Sequence, residues 1–311
     1  MSVDSMRSIS PDSDGDVQGS HLKYVLITPA RNEAMFIEET IKSVIQQTIL
    51  PIKWVIVSDG STDGTDDIVK KYVAQHGWIE LERMPERQER HFAGKVHAFK
   101  AGYMKVSNLN YDIIGSLDSD ISFEKDYMSF LLSKFAINPK LGIAGTPFKE
   151  GGVSYDFRFS ATEHVSGACQ LFRRECYENI GGYIPAKGGG IDLVAVLTAR
   201  MRGWETRTYT EKHSIHHRPE GTATGSLLKS RFKDGQKDYT LGAHPLWELF
   251  RIAYQMSRKP ILVGGLAILC GYLLNMIKNV DRTVSNELMQ FRRKDQMRRL
   301  KAFFAKVLLL R

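Results

Sequence analysis

From Tyr24 to Leu117 short apolar runs alternate with longer amphipathic stretches, and that alternation confines the chain to a narrow set of folds. Tyr24 to Thr28, Trp54 to Ser58 and Ile113 to Leu117 read as buried strands, with Ile79 to Arg83 as a further strand run. Ala34 to Gln46, Thr65 to Gln75 and Ala98 to Val106 carry helical character between them. Strand, helix and strand repeated in this order imply an α/β fold with a mostly parallel sheet, whose ligand crevice lies at the carboxyl ends of its strands. The second half is less regular. Gly142 to Gly145 and Val165 to Phe172 are strand candidates, Asp192 to Gly203 has helical spacing, and residues 205–245 are polar with several His and Gly. No internal repeat is present.

A chain of 311 residues that is 42% hydrophobic and 25% charged is not disordered, collagenous or of low complexity, and it can bury a core large enough for an enzyme. Cys169, Cys176 and Cys270 are too few for a disulfide framework and lack zinc-knuckle spacing, so a reducing, cytosol-facing setting is expected. The formal charge of +8 is uneven. Residues 1–22 carry one Arg against four Asp, whereas residues 278–311 carry ten Lys or Arg against three acids. The expected division is a solvated leader over 1–22, with no signal-peptide apolar region, then a catalytic domain over 23–240 and a helical apolar segment with a basic tail over 241–311.

Polar clusters fall where three of the strands end: Thr28 to Glu33, Ser58 to Gly64, and Asp118-Ser119-Asp120. Side chains alternate along an extended strand, so Asp118 and Asp120 leave on one side and suit one hard cation, Mg²⁺ or Mn²⁺, beside diphosphate oxygens. Each cluster has a plainer explanation when taken alone. An isolated Asp-x-Asp occurs as a turn cap, Asp59-Gly60 is a common turn signal, Asp63 or Thr65 caps the next helix, and Glu33 is either a first-turn acid or a ribose contact. Their joint occurrence favours function.

The runs Ile27-Thr28-Pro29-Ala30-Arg31-Asn32-Glu33, Val57 to Thr65 and Leu117-Asp118-Ser119-Asp120 strongly resemble family 2 glycosyltransferases in order and spacing. The resemblance continues through Gly94-Lys95, Gly167 to Arg174, Gly181-Gly182-Tyr183 and Asp192, and covers roughly residues 23–210. It implies a GT-A type, Rossmann-like fold with helices on both faces of the sheet, and inverting transfer from a nucleoside diphosphate sugar. Pro29, Arg31, Glu33 and Asp59 would then lie at the nucleoside, Lys95 and Asp118 at the diphosphate, and Asp118 with Asp120 at the metal. Asp192 matches the acceptor-activating carboxylate, a role that general-base chemistry supports; as a plain structural residue it would be a helix N-cap. The acids that flank this position in the family are Ile191 and Val194 here, and the Gln-x-x-Arg-Trp motif of processive synthases is absent, so transfer of one or a few sugars is expected. In His213-Ser214-Ile215-His216-His217-Arg218, one His, His217 as the named candidate with His216 left open, completes the metal shell, and Arg218 is the candidate for holding diphosphate; the alternative is a solvated loop or a structural histidine.

Residues 261–277 are apolar apart from Asn275 and reach only about 25 Å as a helix, short of the ~30 Å hydrocarbon core. A re-entrant or in-plane segment, bent at Gly264, Gly265 and Gly271, keeps both the domain and the basic tail on the cytoplasmic face of a membrane. Val284, Leu288, Phe291, Met297, Leu300, Phe304 and Val307 follow at roughly helical spacing among Arg292, Arg293, Arg298, Arg299 and Lys301, a pattern suited to an anionic membrane surface. A buried helix followed by a solvated charged helix is the alternative. The expected partners are a nucleoside diphosphate sugar, a lipid-linked or glycan acceptor and that membrane surface, with no nucleic acid. Two other functions compete. A nucleotidyltransferase lacks its glycine-rich first loop here, and a noncatalytic membrane or nucleic-acid binder would leave the strand-end acids as turn caps.

Overall fold

Tyr24 and Leu26 enter one hydrophobic core and Val25 and Ile27 another, because successive side chains of a strand leave opposite faces. The computed structural model describes residues 22–86, 93–150, 161–185, 188–218, 227–258 and 261–309; the expected leader lies almost entirely outside them. In chain order come β1 (Tyr24–Ala30), α1 (Ile37–Ile45), β2 (Lys53–Asp59), α2 (Thr65–Val73), β3 (Ile79–Met84), α3 (Ala93–Val106) and β4 (Ile113–Leu117). Then follow β5 (Ile121–Ser122), α4 (Tyr127–Ile137), β6 (Leu141–Gly145), β7 (Phe148–Lys149), β8 (Cys169–Arg173), α5 (Arg174–Ile180), α6 (Ile191–Met201), β9 (Glu205–Thr208) and β10 (Ser214–His216). Four helices complete the chain: α7 (Leu227–Thr240), α8 (Pro245–Met256), α9 (Val263–Ile277) and α10 (Asn286–Leu309).

The large sheet has the order β3-β2-β1-β4-β8-β6-β9, and β8 alone runs against the rest. This is the mostly parallel α/β sheet expected from the alternation. Ile37, Val69 and Tyr127 carry α1, α2 and α4 onto one face, while Phe99, Tyr177 and Ala195 carry α3, α5 and α6 onto the other. A second sheet, β5-β10-β7, lies beside the end of β4. Its strands of two or three residues show no period of their own.

The C-terminal helices depart from expectation in three ways. First, α7 packs along α9, so the helical region begins at Leu227, not at residue 241. Second, α9 is one unbroken helix: Gly265 meets the Ile252 and Met256 turn of α8 and Gly271 meets Phe232 of α7, so these glycines permit contact and make no bend. Third, α10 turns Leu288 and Leu300 inward, with Leu288 joining Val194 and Leu197 of α6 in a third core. Arg292, Asp295 and Gln296 are buried with them. Among the described residues no helix is long and apolar enough to cross a membrane.

Candidate functional site

The loops after β1 and β2 are tied together before any ligand arrives. Asn32 adopts φ 55°, a left-handed conformation that asparagine tolerates. Its N–H donates to Ser61 Oγ at 3.1 Å, and its Oδ1 accepts the Thr62 N–H at 2.9 Å. Asp63 accepts the Ala34 and Thr65 N–H groups at 2.9 and 3.1 Å, and the Thr65 hydroxyl accepts the Glu33 N–H at 2.8 Å. Burial opposes the Asp63 charge, but the Thr65 hydroxyl, which donates to Asp63 Oδ1 at 2.5 Å, and these N–H groups outweigh it and lower its pKa. Neither Asp63 nor Thr65 is the cap residue of α2; that position is Gly64, in the left-handed region. The clamp holds two buried acids at the strand ends, Glu33 and Asp59, with Arg31 4.0 Å from Asp59. Pro29, opposite Val57 in the β1–β2 ladder, is half-buried near the end of β1.

Asp118 follows β4 and takes an ion pair from Lys95 near the start of α3, and Lys95 Nζ also donates to Gly167 O at 3.3 Å. Burial disfavours the ammonium, yet the Asp118 charge outweighs it and holds the Lys95 pKa up. Asp120 lies 3.4 Å from His216 Nε2 and 3.7 Å from Arg218 Nε, and Arg218 also pairs with Glu33. One guanidinium therefore joins the first and third strand-end clusters across 185 residues of sequence. Burial works against a charged His216, but its hydrogen bond to Asp120, with Glu150 at 3.3 Å, pushes the ring up to about 9. His216, with Arg218 and Lys95, in turn lowers the Asp120 pKa against its own burial.

His217 is not where the sequence places it. Its ring meets Ser122 Oγ at 2.8 Å, and only its backbone N–H reaches the Asp120 carbonyl, at 2.9 Å. Neighbouring residues at the end of β10 point to opposite sides, so His216 takes the place beside Asp120. Among the described residues no three His, Cys, Asp or Glu side chains form a preassembled metal cluster, and the expected set of Asp118, Asp120 and His217 is not brought together. Asp120 and His216 do supply carboxylate and imidazole donors that fit Mg²⁺ or Mn²⁺, provided the cation displaces the imidazolium proton.

Asp192 sits in the first turn of α6, two residues after the N-cap Gly190, which adopts φ 82° and makes no side-chain cap. It is therefore not the N-cap. Its carboxylate has no hydrogen bond or ion pair among the described residues, and Gly167 approaches so closely that a Cβ there would lie 3.3 Å from Oδ2. Lys95, Asp118, Asp192 and His216 share a cavity of about 720 Å³. Tyr183, part of the Gly181-Gly182-Tyr183 run, also lines this cavity, together with the polar face of α7, which the sequence missed. Only the length of the polar segment after residue 205 hinted at the latter. Arg31, Glu33, Asp59 and Asp120 stand outside the lining; His216 joins Asp120 to it, and Arg218 joins Glu33 to Asp120.

Comparison with known proteins agrees with this fold. The family model for glycosyl transferase family 2 matches residues 25–189. The poly-beta-1,6-N-acetyl-D-glucosamine synthase of Staphylococcus epidermidis is 27% identical over 186 residues, 59% of this chain and 42% of the synthase. The chain thus spans well under half the length of that relative. Among solved structures, the mannosyltransferase PcManGT from Pyrobaculum calidifontis, in complex with GDP-Man and Mn²⁺, superposes with a TM-score of 0.58 at 20% identity. It covers 94% of this chain and 81% of its own. Staphylococcus aureus TarS 1-349 in complex with UDP-GlcNAc superposes with a TM-score of 0.54 at 15% identity, over 87% of this chain and 78% of that one. At such identities the likeness is one of fold.

Proposed function

Because the chain belongs to glycosyl transferase family 2, we propose that it moves a sugar from a nucleoside diphosphate sugar to a lipid-linked or polysaccharide acceptor, with inversion at the anomeric carbon. The observation that carries this reading is the cavity in which an unpaired carboxylate, Asp192, faces the paired Lys95 and Asp118. Asp192 takes the proton of the acceptor hydroxyl as that oxygen bonds to the anomeric carbon and the bond to the diphosphate breaks. Lys95 holds the diphosphate through charge, and Arg31, Glu33 and Asp59 hold the nucleoside on the clamped loops, with Pro29 shaping their entry. Asp118, Asp120 and His216 would hold Mg²⁺ or Mn²⁺, which supplies neutralisation of the charge on the departing diphosphate.

A membrane contact on the cytoplasmic face is part of the same proposal. Ile261, Leu262, Val263, Leu266, Met276 and Ile277 are exposed on or beside α9, and Leu246 and Leu249 on α8. Isolated apolar residues on a surface need no explanation, but a helix with one face packed and its other face apolar and open suits an in-plane position at an anionic membrane.

Release of nucleoside diphosphate from UDP-GlcNAc, GDP-mannose and related donors, with and without Mn²⁺, tests the reaction. Metal-dependent release is expected, with Asp120→Ala slowing it at least about 100-fold. Equal inactivity of the folded wild type and Asp120→Ala with every donor and with native membranes would remove the enzyme reading.

A further inference from the structure

The cavity around Asp192 is completed by two helices that lie beyond the family match, α7 and α9. They cross in backbone contact. A methyl group on Gly235 would meet Ile268 O at 1.9 Å, and one on Gly271 would meet Phe232 O at 2.0 Å. The approach lets Gln236 Nε2 donate to Asn275 Oδ1 at 3.2 Å while Asn275 Nδ2 donates to the Gln236 carbonyl at 3.1 Å. Asn275 is the strongly polar residue of the apolar stretch, and at 7% exposure it needs such partners. The crossing thus sets an amide pair into the cavity wall, next to Ser230, Lys233, Lys237 and Thr240.

We propose that this wall is the acceptor subsite and that its occupant is a hydroxyl-bearing sugar ring, held by Gln236, Asn275, Ser230 and Thr240 while Asp192 takes the proton; the assignment rests on the glycosyltransferase reading above. Amides and hydroxyls both donate and accept, as sugar hydroxyls do, whereas an alkyl chain would leave these groups without partners. Lys237 pairs with Asp234 at 3.0 Å, and both line the cavity, so charge of both signs stands beside these amides and hydroxyls. Asn275 also positions Gln236, to which both its hydrogen bonds among the described residues go.

The experiment uses the full chain saturated with the donor that it turns over, and compares a panel of alkyl pyranosides with the matching alkyl alcohol. Pyranosides are expected to be glycosylated in preference to the alcohol. Gln236→Ala should raise the KM of the best pyranoside about tenfold and Ser230→Ala about threefold, with the donor Kd within twofold of wild type. Ser230 lies in the first turn of α7, away from the glycine crossing, so its variant keeps the test open if Gln236→Ala fails to fold. An alcohol accepted as well as the pyranosides, an acceptor KM unmoved by either variant, or donor Kd and acceptor KM rising together would each overturn the subsite. Absence of donor turnover with any acceptor or water would instead overturn the glycosyltransferase reading, and the subsite with it.

Discussion

At the strand ends Asp120 meets His216 at 3.4 Å and Arg218 at 3.7 Å; among the C-terminal helices Asp238 meets Arg292 at 2.7 Å and also pairs with Arg251. The two aspartates are 7% and 6% exposed, and in both burial opposes the charge while neighbouring cations outweigh it and lower the pKa. Residue type, burial and titration are therefore alike. What separates them is access. His216, the partner of Asp120, borders the cavity of about 720 Å³ with Asp192, whereas neither arginine that pairs with Asp238 borders that space. A perturbed carboxylate marks a site when a substrate atom can approach it, and otherwise marks a joint between helices.

The sharpest way to break this distinction is Asp192→Asn. If the cavity acid is the base, kcat falls about 10³-fold while donor Kd stays within twofold, since general-base catalysis is worth that much and the donor is held elsewhere. Isothermal titration with donor beside a transfer assay separates the two quantities. Unchanged turnover would make Asp192 as inert as the helical acids.

The counterpart is Asp238→Asn. It leaves the buried Arg292 without its countercharge and takes one of three acids from around Arg251, which costs about 3 to 5 kcal/mol of stability. A large drop in Tm with an unaltered donor Kd at a temperature where the protein is folded is the expected pair of results. A variant with normal Tm and lost transfer would place Asp238 in the reaction and erase the difference between the clusters.

A smaller effect comes from Glu248 on α8, which is 2% exposed with both carboxylate oxygens lacking a hydrogen bond. Burial and the charge of Asp238 raise it from 4.5 to about 7, with Asp234 adding to the rise and Arg251 and Arg292 opposing it. A raised carboxyl contributes stability fully below its unfolded pKa and loses it as pH rises through the folded value. Between about pH 4.5 and 7.5 the wild type should thus lose about 2 to 3 kcal/mol through this group. Glu248→Gln should flatten that slope and raise Tm at pH 8. Parallel Tm profiles for the two proteins would show that the helical cluster does not hold a neutral acid.

The unequal legibility of the two regions has the same physical origin. Strands β1, β2 and β4 were readable because each is a short apolar run ending in polar residues, and Asp59 and Asp118 stand at or just beyond the ends of such elements. Arg218 reaching Glu33, or Arg292 reaching Asp238, has no local signature, since the partners lie 185 and 54 residues apart. Leu288 and Leu300 recur with helical spacing whether they face lipid or α6, so the tail read as a membrane surface although part of it is core. Gly271 read as a bend because sequence does not distinguish a glycine that frees the backbone from one that admits another helix. His216 and His217 were separable only by knowing where β10 ends.

That correction moves the proposed membrane contact and defines the smallest effect worth measuring. Arg200, Arg298 and Arg299 share Asp295, and Arg293 donates to the Gly242 carbonyl, so much of the tail's charge is engaged within the protein. Exposed apolar side chains instead lie on α9, where Ile277 is 79% exposed. Leu266→Ser combined with Ile277→Ser should weaken binding to anionic phospholipid vesicles about fivefold, with little dependence on salt, because the lost contribution is apolar. Lys294→Gln with Lys301→Gln, at two exposed positions of α10, should weaken it only severalfold and only at low ionic strength. If the lysine pair has the larger effect and the α9 pair none, the contact returns to the basic tail, and α9 is a packed helix whose outer face happens to be apolar.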